Sequence, residues 1–377
     1  MQKQKFYVIA GEASGDLHAS NLMRAMLQEN PNCDFRFWGG DEMLKVQNNC
    51  VKHIKDLAFM GFVEVLLNLK TILGNIKFCK NDILNYQPDT LILVDYPGFN
   101  LRIAEWAHQQ NIKVVYYISP QVWAWKQNRV HTIKKVVDEM YVILPFEKDF
   151  YQKFDFNVTY VGHPLLDAIE NYKQSKSDDS VSFLQKNQLT EQPIIAVLPG
   201  SRKQEVSKKL PIMLEAVQSF TNYQIVIAGA PSLDAAFYHP LIEKYKNVHL
   251  VHGQTYDLLA QAEAAVVTSG TATLETALFQ VPEVVCYIGS PISYIIAKQL
   301  IKIKFISLVN LIMDREVVKE LIQNECNPSI IKAELSQLIK GGNKREAMLE
   351  DYQKLKEILG GGGASKKIAQ SLLKTNE

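Results

Sequence analysis

Five segments of the chain place small, polar and charged residues directly after a short apolar run. They are Gly11–Asp16, Leu93–Asn100, Ile118–Arg129, Leu198–Arg202 and Thr268–Glu275. Glycine lets a backbone amide approach an anion or a sugar closely, and the start of a helix adds a partial positive charge. An acid at the end of a buried strand suits proton abstraction, because burial raises the pKa of a carboxyl group. The segments therefore predict chemistry on a phosphorylated or sugar-like substrate.

The segment Gly11–Asp16 follows the first apolar run and opens a helix. Its amides are expected to face an anion or a sugar, although a tight turn in which Ser14 or Asp16 caps the helix explains it equally well. The pattern G-x-G-x-x-G is missing, and no acid closes the second strand, so there is no fingerprint of a nicotinamide or flavin enzyme. Its candidate site residues are Gly11, Glu12, Ser14, Gly15 and Asp16.

Two further segments in the first half combine strand ends with functional groups. Asp95 ends an apolar strand, where it is suited to proton abstraction or, alternatively, to capping the next helix with Pro97 in its first turn. The segment Ile118–Arg129 places Trp123 and Trp125 beside fixed cations, which suits sugar faces and phosphates. The alternative is that the tryptophans pack in the core and the cations lie on a solvated surface. The candidate residues of this segment are Ser119, Trp123, Lys126 and Arg129.

The two segments in the second half predict a nucleotide site. Arg202 stands at the carboxyl end of one strand, and small residues after another strand open a helix. Free amides at a helix start hold a diphosphate, and Glu275 in the first turns of that helix can reach ribose hydroxyls. A capping motif and a surface ion pair of Arg202 are the alternatives. The candidate residues are Gly200, Ser201, Arg202, Ser269, Gly270, Thr271 and Glu275.

The sequence shows no pattern for a metal or a bound cofactor. There is no Asp-x-Asp at a strand end, no His-Glu-x-x-His and no Walker lysine. We therefore expect no metal and no cofactor. A departing diphosphate would be neutralised by Arg202 and by helix amides.

The stretch Leu57–Leu69 has only Glu64 and Asn68 as polar residues. Continued as a helix, it places Phe62, Leu66, Leu69, Leu73 and Ile76 on one face, flanked by an excess of lysines. An apolar face with flanking lysines is typical of a helix that lies on anionic lipid. A crossover helix buried against its sheet is the alternative.

The elements that carry these segments follow from length and pattern. A chain of 377 residues predicts two domains, and a net charge of +1 argues against a nucleic-acid binder. Five cysteines without a C-x-x-C pair fit reduced thiols in a cytosolic protein. Neither a signal peptide nor an uncharged apolar stretch of about 18 residues, the length of a spanning helix, is recognisable.

Short apolar runs alternate with helical patterns along the chain, which predicts parallel strands joined by crossover helices. The fold class is α/β, with two Rossmann-like parallel-sheet domains facing across a cleft. We predict a first domain over 1–172, a linker over 173–192, a second domain over 193–343 and a helical tail over 344–377 that packs back on the first domain or on a partner chain. The predicted strands are Phe6–Ala10, Phe35–Trp38, Thr90–Val94, Val114–Ile118, Met140–Leu144, Val158–Val161, Ile194–Leu198, Gln224–Ala228, Val248–Val251, Ala264–Thr268 and Val284–Tyr287.

With these residues in their order, the chain resembles the lipid-A-disaccharide synthase family over nearly its whole length. The motifs that carry the resemblance are Gly11–Asp16, Ser119–Arg129, Phe146–Lys148, Gly162–Pro164, Leu198–Arg202, Ser269–Glu275 and Asn310 through Cys326. Gly-Glu-Ala-Ser-Gly-Asp together with Ser-Pro-x-Val-Trp-Ala-Trp is specific, whereas neither is so alone.

The resemblance implies an inverting, metal-independent glycosyltransferase of the glycosyltransferase-B fold. It would move 2,3-diacylglucosamine from its UDP form to the 6-hydroxyl of 2,3-diacylglucosamine 1-phosphate, in lipid A biosynthesis. It further implies a peripheral place on the cytoplasmic face of the inner membrane, with Phe62, Leu66, Leu69 and Leu73 towards the lipid.

The resemblance also implies roles for single residues. Asp95 would be the general base, with His18, Glu12 or Asp16 as the alternatives. Asn310 would complete the UDP site, and Gly11–Asp16 with the Trp123–Arg129 loop would form the acceptor side. The sequence leaves open whether the protein forms a homo-oligomer.

Two other classes of protein compete with this interpretation. One is a UDP-N-acetylglucosamine 2-epimerase or another UDP-sugar glycosyltransferase of the same fold, and the lysine-flanked apolar stretch argues against the soluble epimerases. The other is a non-catalytic protein that binds a nucleotide sugar or a lipid. Such a protein needs no base, so the presence of Asp95 beside the Arg202 segment argues against it.

Overall fold

A computed structural model of the protein describes residues 3–56, 69–175, 182–289 and 303–374. The chain divides into two compact units, each with its own parallel sheet. Unit 1 comprises Met1–Asp167 and Gly361–Glu377, and unit 2 comprises Ala168–Gly360. The predicted α/β class with two parallel-sheet domains is confirmed. The division falls after Asp167, ahead of the linker that we predicted, and the tail is shared between the two units.

The described part of unit 1 contains seven parallel strands in the order β3-β2-β1-β4-β5-β6-β7. They are β1 (Gln4–Ala10), β2 (Cys33–Gly39), β3 (Cys50–His53), β4 (Thr90–Val94), β5 (Lys113–Tyr117), β6 (Glu139–Val142) and β7 (Thr159–Tyr160). The described part of unit 2 contains six parallel strands in the order β10-β9-β8-β11-β12-β13. They are β8 (Ile194–Leu198), β9 (Gln224–Gly229), β10 (Val248–His252), β11 (Ala262–Thr268), β12 (Glu283–Tyr287) and β13 (Lys319–Ile322).

Helices connect the strands, because successive parallel strands need crossover connections. In unit 1 and at its boundary they are α1 (Ala13–Glu29), α2 (Asp41–Leu44), α3 (Leu69–Tyr86), α4 (Pro97–Gln109), α5 (Arg129–Val136), α6 (Pro145–Gln152) and α7 (Pro164–Ser175). In unit 2 they are α8 (Phe183–Lys186), α9 (Lys203–Val217), α10 (Ala235–Ile242), α11 (Thr255–Gln261), α12 (Thr271–Leu278), α13 (Leu308–Met313), α14 (Pro328–Ser336) and α15 (Arg345–Leu359). The last described helix is α16 (Ala364–Lys374), which belongs to unit 1.

All eleven predicted strands are present, because each contains a short run rich in β-branched, aliphatic or aromatic residues, and the central strands are buried on both faces. Alternate residues of one strand enter different cores: Tyr7 and Ile9 join one cluster, while Phe6 and Val8 join the other. The two strands that we did not predict, β3 and β13, lie at sheet edges and have four residues each.

The final helix α16 completes the core of unit 1 by packing on α1. Its Ile368 and Leu372 share one buried cluster with Leu22 and Met26 of α1. The connection that precedes it is fixed where the Gly363 N–H donates to the Asp167 carboxylate. Unit 1 is therefore assembled from both ends of the chain.

Helix α3 is anchored by an ion pair beneath the sheet of unit 1. The Arg36 guanidinium donates to both Asp82 carboxylate oxygens, at 2.8 and 2.6 Å, and the Tyr7 hydroxyl donates to Asp82 at 2.7 Å. Bidentate pairs of this kind fix orientation as well as position. The outward face of α3 carries exposed apolar side chains, among them Leu73 at 54% and Phe78 at 50% exposure.

The apolar face predicted for Leu57–Ile76 is described only in part. Phe62 and Leu66 lie outside the described residues, and Leu69 begins α3 without a described side chain. Leu73 is exposed, but Ile76 is buried in the core. Contrary to our expectation, these two residues do not share one exposed face. In the part of the chain that the structure describes, no helix is long and apolar enough to cross a bilayer.

Candidate active site

The loops of unit 1 that carry candidate residues follow three neighbouring strands. Ala10 pairs with Val94, and Val94 pairs with Tyr117, so β1, β4 and β5 end side by side. Ligands of open parallel sheets bind at the carboxyl ends of strands, particularly where the strand order reverses. The order changes direction between β1 and β4, which places the loops after these two strands at the expected position.

Asp95 follows β4 and is held by its backbone. Its N–H donates to the Tyr117 carbonyl at 3.1 Å, and its carbonyl accepts from the Tyr116 hydroxyl at 2.6 Å and from the Asn100 amide at 2.8 Å. Burial, reinforced by the negative charge of Glu12, raises the pKa of the Asp95 carboxyl to about 6. A carboxylate with this pKa is ionised at neutral pH and basic enough to take a proton from a positioned hydroxyl.

The backbone at Asp95 and Tyr96 is in a conformation that non-glycine residues rarely adopt. Their φ angles are +46° and +48°, in the left-handed region. The Tyr96 ring lies directly over Gly11, where a Cβ atom would collide with it. Two consecutive residues of this type cost free energy, and such conformations cluster at functional sites. The loops after β1 and β4 therefore pack closely against each other beside Asp95.

The remaining residues of Gly11–Asp16 have different surroundings. The Asp16 carboxylate accepts the backbone N–H groups of Gly40, Glu42 and Met43 at 2.7 to 3.1 Å, so it caps the short helix α2 and is not available as a base. Ser14 is exposed and Glu12 is half-buried, whereas Gly15 is buried. The structure therefore leaves Glu12 and Ser14 as the polar side chains of this loop that can meet a ligand.

His18, the other alternative base, lies one turn into α1. Burial lowers the pKa of His18 to about 4, and burial together with His18 lowers the pKa of His163 to about 3. Both imidazoles are neutral at pH 7 and are weaker bases than Asp95. The comparison favours Asp95 as the group that accepts a proton.

The loop after β5 contains one buried and one exposed tryptophan. Trp123 is 8% exposed and packs edge-on against Phe146, with ring centroids 5.0 Å apart. Ser119 is also buried and shares a hydrogen bond of 2.6 Å with the Tyr151 hydroxyl. The side chains of Ser119 and Trp123 therefore pack inside unit 1, as the core-packing alternative for the tryptophans expects. They can shape the acceptor side only through the backbone that they support.

The cations of this loop gather around the exposed tryptophan. Trp125 is 41% exposed, with Lys126 Nζ at 4.5 Å and Arg129 Cζ at 5.7 Å from its ring centroid. Cation–π attraction to the indole ring holds each cation in place, and the cations stay available to a phosphate. We refer to Trp125, Lys126 and Arg129 as the cationic platform.

Glu147 is a buried acid behind the same loop. It is 1% exposed and accepts the backbone N–H groups of Ile143 and Leu144 at 3.3 and 3.0 Å. Burial raises the pKa of Glu147 to about 7, although these bonds and the side chains of Ser119 and Trp123 lower it. Glu147 thus ties α6 to the loop that carries the cationic platform.

The candidate residues of unit 2 surround a cavity of about 310 Å³. Its walls come from the ends of β8, β9 and β11 and from the amino ends of the helices that follow β8 and β11. The predicted residues that line it are Gly200, Ser201, Ser269, Gly270, Thr271 and Glu275. Two helix starts that border one cavity supply free N–H groups and two positive dipole ends, which suits a diphosphate.

Arg202 stands at the rim of this cavity. Its side chain is 63% exposed, and its Nη1 atom lies 3.6 Å from Glu205 Oε1. Glu205 in turn lies 4.0 Å from the buried Lys209 ammonium and lines the cavity. An exposed guanidinium held by a long, weak ion pair can exchange its partner for a phosphate at little cost.

The loop after β11 is tied to its surroundings at Ser269. The Ser269 N–H donates to the Cys286 carbonyl at 3.0 Å, and its hydroxyl donates to the Ile306 carbonyl at 3.1 Å. Gly270 has a φ of +152° and precedes the first turn of α12. This geometry presents the amides of Gly270 and Thr271 at the start of the helix.

Asn310 differs from our expectation that its side chain contacts UDP. It is fully buried, and its amide group donates to Val318 and Glu320 at 2.8 and 2.9 Å. Its amide oxygen accepts from Val317 and Val318 at 2.7 and 3.0 Å. All of its hydrogen-bonding capacity is thereby used within the protein. Because Glu320 also binds the N–H groups of residues 306 and 307, Asn310 supports the segment that holds Ser269.

Glu275 lies on α12, one turn after the amides at its start. It lines the cavity, and its Oε1 atom accepts a hydrogen bond of 3.0 Å from the Tyr256 hydroxyl. Burial raises the pKa of Glu275, and the bond from Tyr256 opposes that change. Sequence reasoning did not select Tyr256, because its partner Glu275 is distant in the chain. It included Glu147 only within the motif Phe146–Lys148 and gave it no role. A tyrosine or a glutamate alone carries no pattern.

Among the described residues, no group of His, Cys, Asp and Glu side chains is arranged to hold a metal ion. The two sites thus differ in character. Unit 1 presents a half-buried carboxylate and exposed cations, and unit 2 presents a cavity with helix amides, a guanidinium and a glutamate.

Comparison with known proteins gives a family and a fold. Residues 6–373 match the family model described as lipid-A-disaccharide synthetase. A lipid-A-disaccharide synthase from Syntrophus aciditrophicus is 40% identical over 375 residues, which cover 98% of this chain and 97% of the relative. The chain is therefore similar to these synthases over essentially its whole length.

Two solved structures share the fold at low sequence identity. A UDP-GlcNAc 2-epimerase from Neisseria meningitidis, bound to UDP-GlcNAc, has a TM-score of 0.69 and 15% identity, and the match covers 98% of this chain and 100% of the epimerase. The glycosyltransferase of kitacinnamycin has a TM-score of 0.69 and 12% identity, with 99% of both chains covered. At these identities the likeness shows the fold alone, which is the glycosyltransferase-B type.

Proposed function

The chain belongs to the lipid-A-disaccharide synthase family and is a glycosyltransferase of lipid A biosynthesis, and we propose its substrates, its reaction geometry and the residues that act. The donor is UDP-2,3-diacylglucosamine, and the acceptor is 2,3-diacylglucosamine 1-phosphate. The products are the β-1,6-linked tetraacyl disaccharide 1-phosphate and UDP. The observation that carries the proposal is that the chain contains both a raised-pKa aspartate, in unit 1, and a diphosphate-type cavity, in unit 2.

We assign UDP to the cavity of unit 2. The diphosphate lies between the two helix starts, where the N–H groups of Ser201, Gly270 and Thr271 and the Arg202 guanidinium neutralise its charge. Glu275 accepts hydrogen bonds from ribose hydroxyls. Gly200 permits the close approach of the backbone, because its φ is +116° and a Cβ atom there would meet Glu205.

We assign the acceptor to unit 1. Asp95 accepts the proton of the attacking 6-hydroxyl, Glu12 and Ser14 contact the sugar, and the cationic platform binds the 1-phosphate. The acceptor oxygen then forms a bond to the anomeric carbon while the bond to the UDP oxygen breaks on the opposite face. A single displacement of this kind inverts the anomeric configuration. The electrons of the breaking bond go to UDP, whose developing charge Arg202 and the helix amides stabilise.

The direct test is a reaction with the two substrates and no added divalent cation. We expect a tetraacyl disaccharide 1-phosphate and an equal amount of UDP, identified by mass spectrometry. A 2-epimer of the donor sugar without disaccharide would instead point to an epimerase. Binding of UDP without any product would point to a protein that only binds nucleotide sugars.

The pKa of Asp95 predicts the acid side of the pH profile. A general base acts in its ionised form, so kcat/KM should rise with pH through a pKa of about 6 and then level off. On the acid side we expect about a tenfold loss for each pH unit, because the ionised fraction falls by that factor. Initial rates measured from about pH 5 to about pH 8 check this. A flat profile would remove Asp95 as the base.

We also propose that unit 1 contacts anionic lipid through the outer face of α3. Leu73, Phe78 and Leu84 are exposed there, and Lys70 and Lys77 are exposed beside them. Apolar side chains with neighbouring lysines bind the interface of an anionic membrane, which is where diacylated substrates reside. The location that follows is the cytoplasmic face of the inner membrane.

Vesicle flotation tests this contact. The chain should float with vesicles that contain anionic phospholipid and should bind uncharged phosphatidylcholine vesicles less, because the lysines contribute about 1 kcal/mol each near a negative surface. Replacing Leu73 and Phe78 by serine should release it into the soluble fraction. Equal flotation with the substituted protein would exclude this face.

A further inference from the structure

Tyr256 supports Glu275 from outside the cavity of unit 2. Its hydroxyl donates to Glu275 Oε1 at 3.0 Å, while Glu275 itself lines the cavity and Tyr256 does not. Tyr256 lies on α11, which follows β10, and Glu275 lies on α12, which follows β11. The bond therefore joins two neighbouring helices behind the proposed ribose site.

The Tyr256 ring is held on two sides by other aromatic rings. Phe279 lies with its ring centroid 5.1 Å away, and Tyr172 meets the ring edge-on at 5.5 Å with an interplanar angle of 80°. The Tyr172 hydroxyl donates to Asp257 at 2.8 Å, which fixes that ring as well. Edge-on and tilted aromatic contacts of this kind fix ring orientation. The Tyr256 hydroxyl is thus presented to Glu275 by a rigid support.

A glutamate side chain that is already oriented binds a ligand more tightly than a mobile glutamate side chain. The side chain has three rotatable bonds, and ordering it on ligand binding costs conformational entropy that a pre-formed hydrogen bond avoids. The hydrogen bond from Tyr256 also lowers the pKa of Glu275 against the larger, opposite effect of burial, and so favours the ionised carboxylate. An ionised carboxylate accepts stronger hydrogen bonds from ribose hydroxyls than a neutral carboxyl does.

We propose that Tyr256 is a positioning residue that orients Glu275 towards the ribose hydroxyls and thereby gives the donor site its preference for ribonucleotides over deoxyribonucleotides. This inference rests on the proposed function, because it takes Glu275 as the ribose contact. It adds a specificity determinant that does not itself touch the donor. The Tyr256→Phe change isolates the effect, because it removes the hydroxyl and keeps the ring and its aromatic contacts.

The experiment measures the dissociation constants of UDP and of 2′,3′-dideoxyuridine diphosphate by calorimetry. The wild-type chain should prefer UDP by about 10-fold to 100-fold, as expected for hydrogen bonds to a charged group. Tyr256→Phe should reduce that preference by about tenfold, chiefly by weakening UDP, and Glu275→Gln should reduce it at least as much. The affinity for the dideoxy nucleotide is the internal standard, because general damage to the fold weakens both ligands alike and leaves their ratio unchanged.

A matched control uses another tyrosine–glutamate pair of unit 2. The Tyr223 hydroxyl donates to Glu263 at 2.6 Å, and neither residue lines the cavity. Tyr223→Phe removes the same kind of bond and should leave the nucleotide preference at the wild-type value. If Tyr256→Phe keeps the wild-type preference while Glu275→Gln loses it, the role of Tyr256 is overturned and the ribose site stands. If the wild-type chain shows no preference, or Glu275→Gln leaves the preference intact, Glu275 is not the ribose contact and both assignments fall.

Discussion

Replacing Asp95 by asparagine should reduce turnover by about two to four orders of magnitude, which is the range for loss of a general base. Asparagine keeps the shape of the side chain but cannot accept the proton of the acceptor hydroxyl. The affinity for UDP should change little, because the proposed UDP ligands lie in unit 2. Initial rates of disaccharide formation and calorimetry with UDP measure the two quantities separately.

Asp89 provides the matched control for this change. It lies at the amino end of the same strand, where its carboxylate accepts the Lys5 N–H at 2.8 Å. Asp89→Asn makes the same chemical change at the opposite end of β4 and should keep wild-type turnover. Full turnover in Asp95→Asn would contradict the assignment and make Glu12 the next candidate, because Asp16 is engaged in capping and His18 is a weak base.

Replacing Arg202 by alanine should reduce the affinity for UDP by about 10-fold to 100-fold, the usual effect of losing a hydrogen bond to a charged partner. Turnover should fall by about two to three orders of magnitude, because charge on the leaving diphosphate grows in the transition state. The loss is enlarged by Glu205, which stays at the cavity wall without the guanidinium that lies 3.6 Å away in the wild-type chain.

The contribution of Glu205 to this loss can be measured separately. The double change Arg202→Ala with Glu205→Gln removes the carboxylate charge and should recover part of the affinity for UDP. Lys208→Ala, an exposed cation on the same helix α9, should leave the affinity unchanged. Unchanged UDP binding in Arg202→Ala would remove this residue from the donor site.

The strands were predictable because burial on both faces demands an unbroken apolar run. The edge strands β3 and β13 escape this logic, because one side of each lacks a neighbour and charged residues are tolerated there. The other two edge strands, β7 and β10, were predicted from runs that begin and end with valine. Cys50–His53 and Lys319–Ile322 each carry charged or polar residues within four positions, so neither reads as a strand. The strands and the loops that follow them could be predicted from the pattern, whereas the order of the strands in each sheet and the two polar edge strands could not.

Side-chain roles were less predictable than loop positions. Trp123 and Trp125 are two residues apart in the sequence. Only the structure shows that Trp123 is buried against Phe146 and that Trp125 is exposed. Asn310 lies in a matching family motif, yet its hydrogen bonds are used by Val317, Val318 and Glu320. A motif indicates that a residue is important. Only its contacts in the structure show whether it binds the ligand or supports a segment that binds the ligand.

The division of unit 1 between the two ends of the chain sets the order in which the ribosome can complete the fold. All of unit 2 is synthesised before α16, so unit 1 still lacks its closing helix when the sequence of unit 2 is complete. Until then, the groove on α1 formed by Leu22 and Met26 has no cover. The first half of the polypeptide to be translated is therefore the last to be finished, and a nascent chain arrested before Ala364 would display an open apolar face to chaperones.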